Sequence, residues 1–255
     1  MTGRVALVTG GGGGIGEATA RLFAEEGGAV ALVDADRRAA DAAAASIAAD
    51  IPGAWVVPVV ADVGLEPEAR RVVADTVSRF GALHALVNVA GIRVYAPLAE
   101  AREEDWRRIV DVNVLATAFC AKAALPSLRA AGNATIVNVS SVFGVLGRAG
   151  MGQYDTTKAA VLGFTRALAV EEAPHGIRVN AVCPGGTITR YHIERAARQG
   201  VSEAELRRSR AHDNGLLGRW AEPREVAYPI LFLSCAESSF VTGTALMVDA
   251  GKSVI

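Results

Sequence analysis

The sequence predicts an α/β protein built on a doubly wound parallel sheet with helices on both faces. Short apolar runs alternate with longer amphipathic runs, and the apolar runs are nearly continuous in Val, Ala, Leu and Ile. Such continuous apolar runs are typical of parallel strands that are covered on both faces. Regular alternation of strand and helix favours a sheet whose crossovers are helical. A third observation is a run of glycines directly after the first apolar segment.

Seven segments are predicted as strands and together form one sheet. In chain order they are RVALVT, AVALVD, AWVVPVVAD, ALVNVAG, ATIVNVSS, RVNAVCPG and ALMVD. The helices predicted between them are GEATARLFAEEG, RRAADAAAASIAAD, PEARRVVADTVSRFG, EEDWRRIVDVNVLATAFCAKAALPSLRAAG and YDTTKAAVLGFTRALAVEEA. Gly or Asn follows many of these elements, as expected at helix ends. Without an internal repeat or a low-complexity linker, residues 1–255 are predicted to form a single domain.

The segment after the sixth predicted strand is irregular. Residues 186–220 are polar, rich in arginine and interrupted by glycines. Because the segment follows the end of a strand that faces a ligand crevice, we expect it to form a lid over the substrate. The alternative is a solvated helical excursion.

Composition and charge exclude several classes of function. The 26 basic and 27 acidic residues nearly balance, with no basic stripe, so nucleic acid is not an expected partner. No segment approaches about 18 uninterrupted apolar residues, and the first residues lack the features of a signal peptide, so we expect a cytoplasmic protein. The scattered Cys120, Cys183 and Cys235 predict neither disulfides nor a metal site.

The glycine run lies between the first strand, which ends at Thr9, and a helix that begins near Ile15. Free amides and the helix dipole at such a point favour a negatively charged phosphate, which a Cβ in the loop would hold away. A flexible turn with surplus glycine is the alternative. The position after the first strand and before an amphipathic helix favours a dinucleotide site.

The spacing Thr9-Gly10-x-x-x-Gly14-x-Gly16 resembles the short-chain dehydrogenase/reductase family, and the resemblance covers practically the whole chain. It implies a Rossmann fold that binds a nicotinamide dinucleotide. The cofactor residues predicted in this way are Gly10, Gly13, Gly14, Ile15, Gly16, Asp34, Asp62, Val63, Asn88, Ala90, Gly91, Tyr154, Lys158, Pro184, Gly185, Thr187 and Thr189.

The end of the second strand predicts NAD rather than NADP. Asp34 lies about twenty residues beyond the glycines, where a carboxylate accepts the ribose hydroxyls of NAD and repels the 2′-phosphate of NADP. Gly13 and Ala35 occupy positions where NADP-using relatives commonly carry a base. Arg37 and Arg38 are expected on the exposed first turn of a helix.

The resemblance implies further contacts at the other strand ends. Asp62 would bond the adenine amino group and the Val63 amide would touch the ring, although Asp62 could instead be a helix N-cap. Val89 stands where the family usually has a second Asn, which removes one side-chain hydrogen bond. The Thr187 backbone and the Thr189 hydroxyl would meet the nicotinamide amide or a phosphate, with a glycine-rich turn as the alternative.

Tyr154 and Lys158 form the predicted chemical centre. They stand four residues apart at a helix start and therefore share one face. An adjacent ammonium lowers the tyrosine pKa from about 10, which permits general acid–base catalysis. Ser141 has the family spacing for the serine that orients the substrate oxygen, and Asn113 matches the family residue that holds a relay water. An ordinary amphipathic helix start and a structurally buried Asn are the alternatives.

The predicted activity is NAD-dependent interconversion of a secondary alcohol (a polyol, sugar or hydroxy acid) and its ketone. The alternatives are an NADPH-dependent carbonyl or 3-oxoacyl-carrier-protein reductase and a non-catalytic dinucleotide sensor. Arginines near the predicted mouth, Arg190 among them, would favour an anionic or polyhydroxylated substrate, unless they are merely solvated. The candidate substrate residues are Arg93, Tyr95, Val142, Arg148, Tyr191 and His192.

We also expect a homotetramer. Relatives in the family pair through their two long helices, and small residues let helices pack closely. Here these residues are Ala116, Ala118, Ala121, Ala159, Ala160 and Gly163, and the apolar end of the tail VDAGKSVI would suit a further interface.

Overall fold

The structure is a computed structural model that describes residues 1–209 and 215–255. Its strands are β1 (Val5–Thr9), β2 (Ala29–Asp34), β3 (Val56–Val60), β4 (Ala85–Asn88), β5 (Thr135–Val139), β6 (Arg178–Pro184) and β7 (Ala245–Val248). They form one parallel seven-stranded sheet in the order β3-β2-β1-β4-β5-β6-β7. The predicted fold class and all seven predicted strands are therefore confirmed. The chain order reverses between β1 and β4, and such a reversal opens a ligand crevice at the carboxyl ends of the strands.

Nine helices connect or flank the strands in the described part of the chain. They are α1 (Gly14–Glu25), α2 (Arg37–Asp50), α3 (Glu66–Phe80), α4 (Glu103–Val110), α5 (Ala116–Ala131), α6 (Gly152–Glu172), α7 (Arg190–Arg198), α8 (Glu203–Ser209) and α9 (Pro223–Ser234). The predicted lid contains α7 and α8, and its residues 210–214 lie outside the described residues.

The long helix predicted before β5 is interrupted. A π-helical turn, Asp111–Leu115, separates α4 from α5. A single π turn adds a residue to the helix and often occurs at functional sites. Here the turn contains Asn113, which is 1% exposed.

The core has two layers, one on each face of the sheet. Along β1, Leu7 packs in the layer covered by α3 and α5, whereas Val8 packs in the layer covered by α1 and α9. Successive strand residues point to opposite faces, so both must be apolar. Burial of each such side chain contributes roughly 1.5–3 kcal/mol. This is why the strand sequences show no polar alternation.

One helical run of the described chain is long and apolar enough to cross a membrane, judged by length and composition alone. The run Glu103–Ala131 has 29 residues, and its most apolar window has a mean hydropathy of 1.4. It packs against α3 and α6, and 39% of that window is buried. Its apolar character is that of a core helix, because α5 supplies Cys120, Ala124 and Leu128 to the layer beside α3.

Of the six small residues expected at a subunit interface, two are buried, Ala118 on α5 is half-buried, and three are exposed. Ala116 and Ala121 are buried in the chain's own core, so the expectation is wrong for these two positions. Ala159, Ala160 and Gly163 are exposed on α6. Small residues on α5 mainly permit its close approach to the sheet and α3, whereas those on α6 leave an exposed face.

The cysteines are unpaired. Cys120 and Cys183 are buried, and burial raises the pKa of Cys120 to about 12 and that of Cys183 to about 11. Both are therefore neutral thiols that act as small apolar residues. Among the residues described, the His, Cys, Asp and Glu side chains form no group of three that could hold a metal ion.

Candidate active site

A cleft of about 500 Å³ opens at the carboxyl ends of the strands, where the chain order reverses. Most of the predicted cofactor residues line it: Gly10, Gly13, Gly14, Ile15, Asp34, Ala90, Gly91, Tyr154, Lys158, Pro184, Gly185, Thr187 and Thr189. Four others, Gly16, Asp62, Val63 and Asn88, lie off its wall. The cleft is thus lined by residues from five separate strand ends, those of β1, β2, β4, β5 and β6, at one edge of the sheet.

The glycines that join β1 to α1 have two different physical reasons. A Cβ on Gly16 would lie 2.0 Å from the Gly10 carbonyl oxygen, and one on Gly10, whose φ is 65°, would lie 2.9 Å from the Ala90 backbone. These glycines are required by the chain's own packing. Gly13 has extended backbone, and a Cβ there would meet no described atom within 4 Å. The only space that a side chain at Gly13 would fill is the cleft itself, at the N-terminus of α1, which fits a phosphate.

Asp34 is oriented toward the cleft by backbone amides. Its Oδ2 accepts a hydrogen bond from Gly12 N at 2.9 Å, and its Oδ1 accepts one from Asp36 N at 3.0 Å. A Cβ on Gly12 would lie 2.8 Å from Asp34 Oδ2. Arg37 and Arg38 are exposed on the first turn of α2, as expected, and do not line the cleft. These two arginines therefore place no positive charge beside the Asp34 carboxylate in the cleft.

The predicted residues beside the cleft have identifiable structural partners. Asp62 Oδ1 accepts from Gly64 N at 3.0 Å and so closes a turn; the residue before α3 is Leu65, so Asp62 is not its N-cap. Asn88 donates to Asn138 Oδ1 at 2.9 Å within the buried sheet. The side chain of Val63 packs in the core.

Tyr154, 6% exposed, lies on the cleft wall near the start of α6. Burial on its own would raise the pKa of its phenol. The charges of Lys158, Arg93 and Arg148 and a hydrogen bond with Ser141 act in the opposite direction, and together they hold the pKa of Tyr154 below its ordinary value. A phenol in this environment ionises more readily than a free tyrosine.

Lys158 is buried next to this phenol. Its Nζ donates to the Val139 carbonyl at 2.9 Å and lies 5.7 Å from the centre of the Tyr154 ring. Burial lowers the pKa of Lys158, and the Tyr154 charge only partly counteracts this effect. Ser140 donates to the Lys158 carbonyl at 2.7 Å, so it attaches the end of β5 to α6.

Ser141 begins a short 3-10 turn at the end of β5. Its Oγ accepts from Phe143 N at 3.2 Å, which leaves the hydroxyl proton free to be donated into the cleft. The serine lines both the cofactor cleft and the neighbouring pocket. Its position at the border of the two cavities suits a group that holds a reacting oxygen.

Asn113 faces the same centre from the π turn. Its amide donates to the Ile92 carbonyl at 3.1 Å and to Thr157 Oγ1 at 3.0 Å, and its Oδ1 accepts from Ile92 N at 2.8 Å. A Cβ on Gly91 would lie 3.3 Å from both Asn113 Oδ1 and Lys158 Nζ, so the two side chains meet beside this glycine. Asn113 thereby attaches the loop after β4 to α6, the helix that carries Tyr154.

His192 connects the cofactor side to the substrate side. Its Nε2 accepts from Arg93, and its Nδ1 lies 2.9 Å from Thr189 Oγ1. Because a guanidinium can only donate, Nε2 is unprotonated and the ring proton lies on Nδ1, which donates to the threonine. Thr187 lies on the cleft wall in a bridge with Ala221.

A second cavity of about 880 Å³ adjoins the cleft at Ser141 and extends beneath α7. Arg93, Tyr95, Arg148 and His192, which were predicted substrate residues, line it. Tyr191 instead lines the cofactor cleft.

Two sequence-based assignments around the substrate are corrected. Val142 is fully buried and lines neither cavity, because the 3-10 turn directs it into the core. Arg190 lies on the cofactor cleft, 59% exposed, and pairs with Glu194 at 3.3 Å. The Arg190 side chain therefore lies beside α7 and the cofactor cleft, and it does not line the substrate pocket.

Sequence reasoning missed several residues that shape the site. Thr9 is buried, and its Oγ1 accepts from Val89 N at 3.1 Å and from Ala90 N at 3.2 Å, which fixes the loop after β4. Asp36 lies on the cleft wall and caps α2 through Ala39 N. The strand-end position of both residues was visible in the sequence, but their partners are distant or backbone groups and gave no motif.

Comparisons with known proteins agree with this geometry. Residues 10–253 match the family model described as enoyl-(acyl carrier protein) reductase. The chain is 40% identical over 253 residues to the cis-4-hydroxycyclohexanecarboxylate dehydrogenase of Sinomonas cyclohexanicum, covering 99% of this chain and 97% of that protein. It is 38% identical over 251 residues to a 3-oxoacyl-(acyl-carrier-protein) reductase of Thermotoga maritima, covering 98% of each.

The fold also closely resembles that of a solved structure. The L-sorbose reductase from Gluconobacter frateurii, in complex with NADPH and L-sorbose, superposes with a TM-score of 0.94 at 31% identity, over 100% of this chain and 98% of that one. The strand order, the glycine loop and the matched length all lead to the same assignment. This chain belongs to the short-chain dehydrogenase/reductase family and is an oxidoreductase with a Rossmann-type fold.

Proposed function

We propose that this chain is an NAD-dependent dehydrogenase that interconverts a secondary alcohol and its ketone, with Tyr154 as the acid–base group. The observation that carries the proposal is the buried phenol of Tyr154 on the cleft wall, with its pKa lowered by neighbouring cations. The phenolate of such a group is available at lower pH than that of an ordinary tyrosine, which suits it to accept the substrate proton.

Each of four residues of the chain would have a separate role in alcohol oxidation. Ser141 holds the substrate oxygen at the border of the two cavities, and the Tyr154 phenolate accepts the hydroxyl proton. Lys158 stabilises the phenolate and, from its place on the cleft wall, would hold the nicotinamide ribose. Asn113 positions the loop after β4 and would hold the relay water. The bound nicotinamide would supply the hydride acceptor, and reduction uses the same groups in the opposite protonation states.

The preference for NAD rests on Asp34. Two backbone amides orient its carboxylate at the adenosine end of the cleft, where it would accept the ribose hydroxyls. The Gly10–Gly16 loop would hold the pyrophosphate, Asp62 and Val63 the adenine, and Thr187 and Thr189 the nicotinamide amide. Two relatives support the alternative, because one is a carrier-protein reductase and the other was solved with NADPH.

A substrate panel tests this function. It comprises cis-4-hydroxycyclohexanecarboxylate, cis-4-hydroxycyclohexanecarboxamide and meso-2,3-butanediol, offered with NAD, and L-sorbose and the ketones of the three alcohols, offered with NADH, each repeated with the phosphorylated dinucleotide. We expect turnover with NAD and at least about tenfold lower efficiency with NADP. Higher efficiency with NADP would favour the carbonyl reductase, and dinucleotide binding without turnover would favour the sensor.

The tyrosine itself is tested by substitution. Tyr154→Phe should lower kcat by about 10³-fold, because it removes the general base, while NAD binding changes little. Tyr228→Phe is the matched control, since Tyr228 is 50% exposed on α9. Turnover by Tyr154→Phe at the rate of the unmodified enzyme would exclude the mechanism.

We further infer a single domain of residues 1–255, a substrate lid over 186–220, a cytoplasmic location and a homotetramer. The small exposed residues of α6 and the exposed Val254 and Ile255 support assembly. Trp220 and α7 border the substrate pocket, which supports the lid. Sedimentation of a stable monomer would contradict the tetramer.

A further inference from the structure

Three cationic side chains surround the ring of Tyr154. The guanidinium carbon of Arg93 lies 5.5 Å from the ring centre, that of Arg148 lies 5.3 Å away, and Lys158 Nζ lies 5.7 Å away. Together they concentrate positive charge where the cofactor cleft, lined by Tyr154 and Lys158, meets the substrate pocket, lined by Arg93 and Arg148. A phenolate at Tyr154 compensates for one such charge.

The three cations differ in their partners. Arg148 pairs with Asp155 at 3.3 Å, and its guanidinium stacks 3.6 Å above the centre of the Phe143 ring. Lys158 donates to a backbone carbonyl beside the phenol. Arg93 contacts the His192 ring and the faces of Tyr154 and Tyr191, and it makes no ion pair with any carboxylate of residues 1–209 or 215–255.

The Arg93 guanidinium has tyrosine and histidine partners, but no carboxylate of the described chain pairs with it. It is partly buried between aromatic rings, and interactions with Tyr154 and Tyr95 offset its loss of hydration and favour its charged form. The planar fork of a guanidinium matches the two oxygens of one carboxylate. A bound anion would therefore complete this site.

The walls of the substrate pocket have the complementary chemistry. None of the described residues that line it is acidic, whereas Arg93, Arg148, Arg195 and Lys252 are basic. Leu146, Met151 and Trp220 supply apolar surface. A carbon skeleton with few hydroxyl groups would fit this surface better than a sugar, because most sugar hydroxyls would lose their hydrogen bonds to water.

We propose that Arg93 binds a carboxylate of the substrate, so that the substrate is a hydroxy acid with an apolar carbon skeleton. This inference rests on the proposed dehydrogenase function and narrows its substrate class. Arg93 reaches the substrate from the loop after β4, and His192 holds the guanidinium in place. Arg148, which pairs with Asp155, lies 5.3 Å from the centre of the same tyrosine ring.

The test compares cis-4-hydroxycyclohexanecarboxylate with its neutral carboxamide, which has nearly the same shape. In the unmodified enzyme, kcat/KM for the acid should exceed that for the amide by at least about tenfold, as expected for one lost charge-assisted contact. Arg93→Gln should reduce this acid-to-amide ratio by at least about tenfold, and Arg93→Lys should give an intermediate ratio. Arg198→Gln is the control, because Arg198 lies on α7, is 80% exposed and does not line the pocket, and it should keep the original ratio.

Two results would overturn the inference without touching the proposed function. One is equal use of acid and amide by the unmodified enzyme. The other is an equal loss of both activities in Arg93→Gln, which would mean that Arg93 acts on Tyr154 alone. If no panel member is turned over with either dinucleotide, the proposed function fails instead.

A binding measurement decides the inference even in that last case. Calorimetry with cyclohexanecarboxylate and cyclohexanecarboxamide, in the presence of NADH, should show preference for the carboxylate in the unmodified protein and its loss in Arg93→Gln. Equal affinity for the two compounds would overturn the inference. Circular dichroism of each variant verifies that it is folded.

Discussion

The cofactor cleft and the substrate pocket meet at Ser141, but they are built in different ways. The cleft is lined largely by backbone and strand ends, and its carboxylate, Asp34, is held by two amides of the chain. The pocket is lined by side chains from separate loops, and its guanidinium at Arg93 has no carboxylate partner among the described residues. We therefore expect binding of the dinucleotide to depend mainly on backbone geometry. Selection of the substrate should depend on side chains, and above all on the Arg93 guanidinium.

The largest effect is expected where the two regions join. Lys158→Met should lower kcat/KM at neutral pH by about 10³-fold. Burial raises the Tyr154 pKa and the Lys158 charge lowers it, so removal of that charge raises the pKa. For alcohol oxidation, which needs the phenolate, the midpoint of the pH–rate curve should therefore move to higher pH.

The measurement is kcat/KM across the accessible pH range. Lys122→Met is the control, because Lys122 is 74% exposed and pairs only with Glu66 among the described residues. An unchanged midpoint in Lys158→Met would show that the ammonium does not set the acidity of the phenol.

The next effect concerns the two kinds of glycine in the cofactor loop. Gly16→Ala should lower the free energy of unfolding by about 3 kcal/mol, because its Cβ would lie 2.0 Å from a backbone oxygen. Gly13→Ala, with extended backbone and open space, should leave stability nearly unchanged but weaken NAD binding about tenfold. Thermal unfolding and fluorescence titration measure the two quantities. Equal loss of stability in both variants would remove the distinction.

A smaller effect should separate the two dinucleotides. Asp34→Ala removes the acceptor of the ribose hydroxyls, and efficiency with NAD should fall about 30-fold, or about 2 kcal/mol. Efficiency with NADP should rise, because the carboxylate no longer repels the 2′-phosphate. Asp41→Ala, exposed on α2, provides the control. A proportional loss with both dinucleotides would argue against the assigned role.

The smallest effect is expected from a row of buried, hydrogen-bonded side chains behind the site. Asn88 donates to Asn138, and Asn138 donates to Thr165 Oγ1 at 3.0 Å. Thr165→Val leaves this donor without an acceptor and should cost about 1 kcal/mol of stability. The pH–rate midpoint should stay where it is, because no charge near Tyr154 changes. Thr156→Val, at an exposed position of α6, serves as the reference. A shifted pH–rate midpoint in Thr165→Val would show that these buried hydrogen bonds influence catalysis.

The sequence-based predictions were accurate where a feature depends on neighbouring residues and failed where it depends on distant ones. The strands were predictable because burial on both faces leaves a local apolar signal, as in Leu7 and Val8. Tyr154 and Lys158 were predictable as neighbours because four residues span about one helical turn. Val142 was misplaced because nothing local reveals that a 3-10 turn directs it inward.

The interruption at Asp111–Leu115 was missed for a related reason. A π turn has no strong sequence signal of its own, and this one places Asn113 against the distant Ile92 and Thr157. The reason for Gly10 was also hidden, since its constraint comes from Ala90, a residue on a neighbouring strand end.

Local periodicity and motif spacing alone determined the α/β class, the seven strands, the phosphate-facing loop and the tyrosine–lysine pair. These features depend on residues within about one turn of helix or a few residues of strand, so the chain encodes them where they occur. Only the tertiary structure decided the pairing of charges: Arg148 with Asp155, Arg190 with Glu194, and Arg93 with no described carboxylate. The cost of a buried charge depends on which distant side chains surround it, and that arrangement exists only after the strands and loops have assembled.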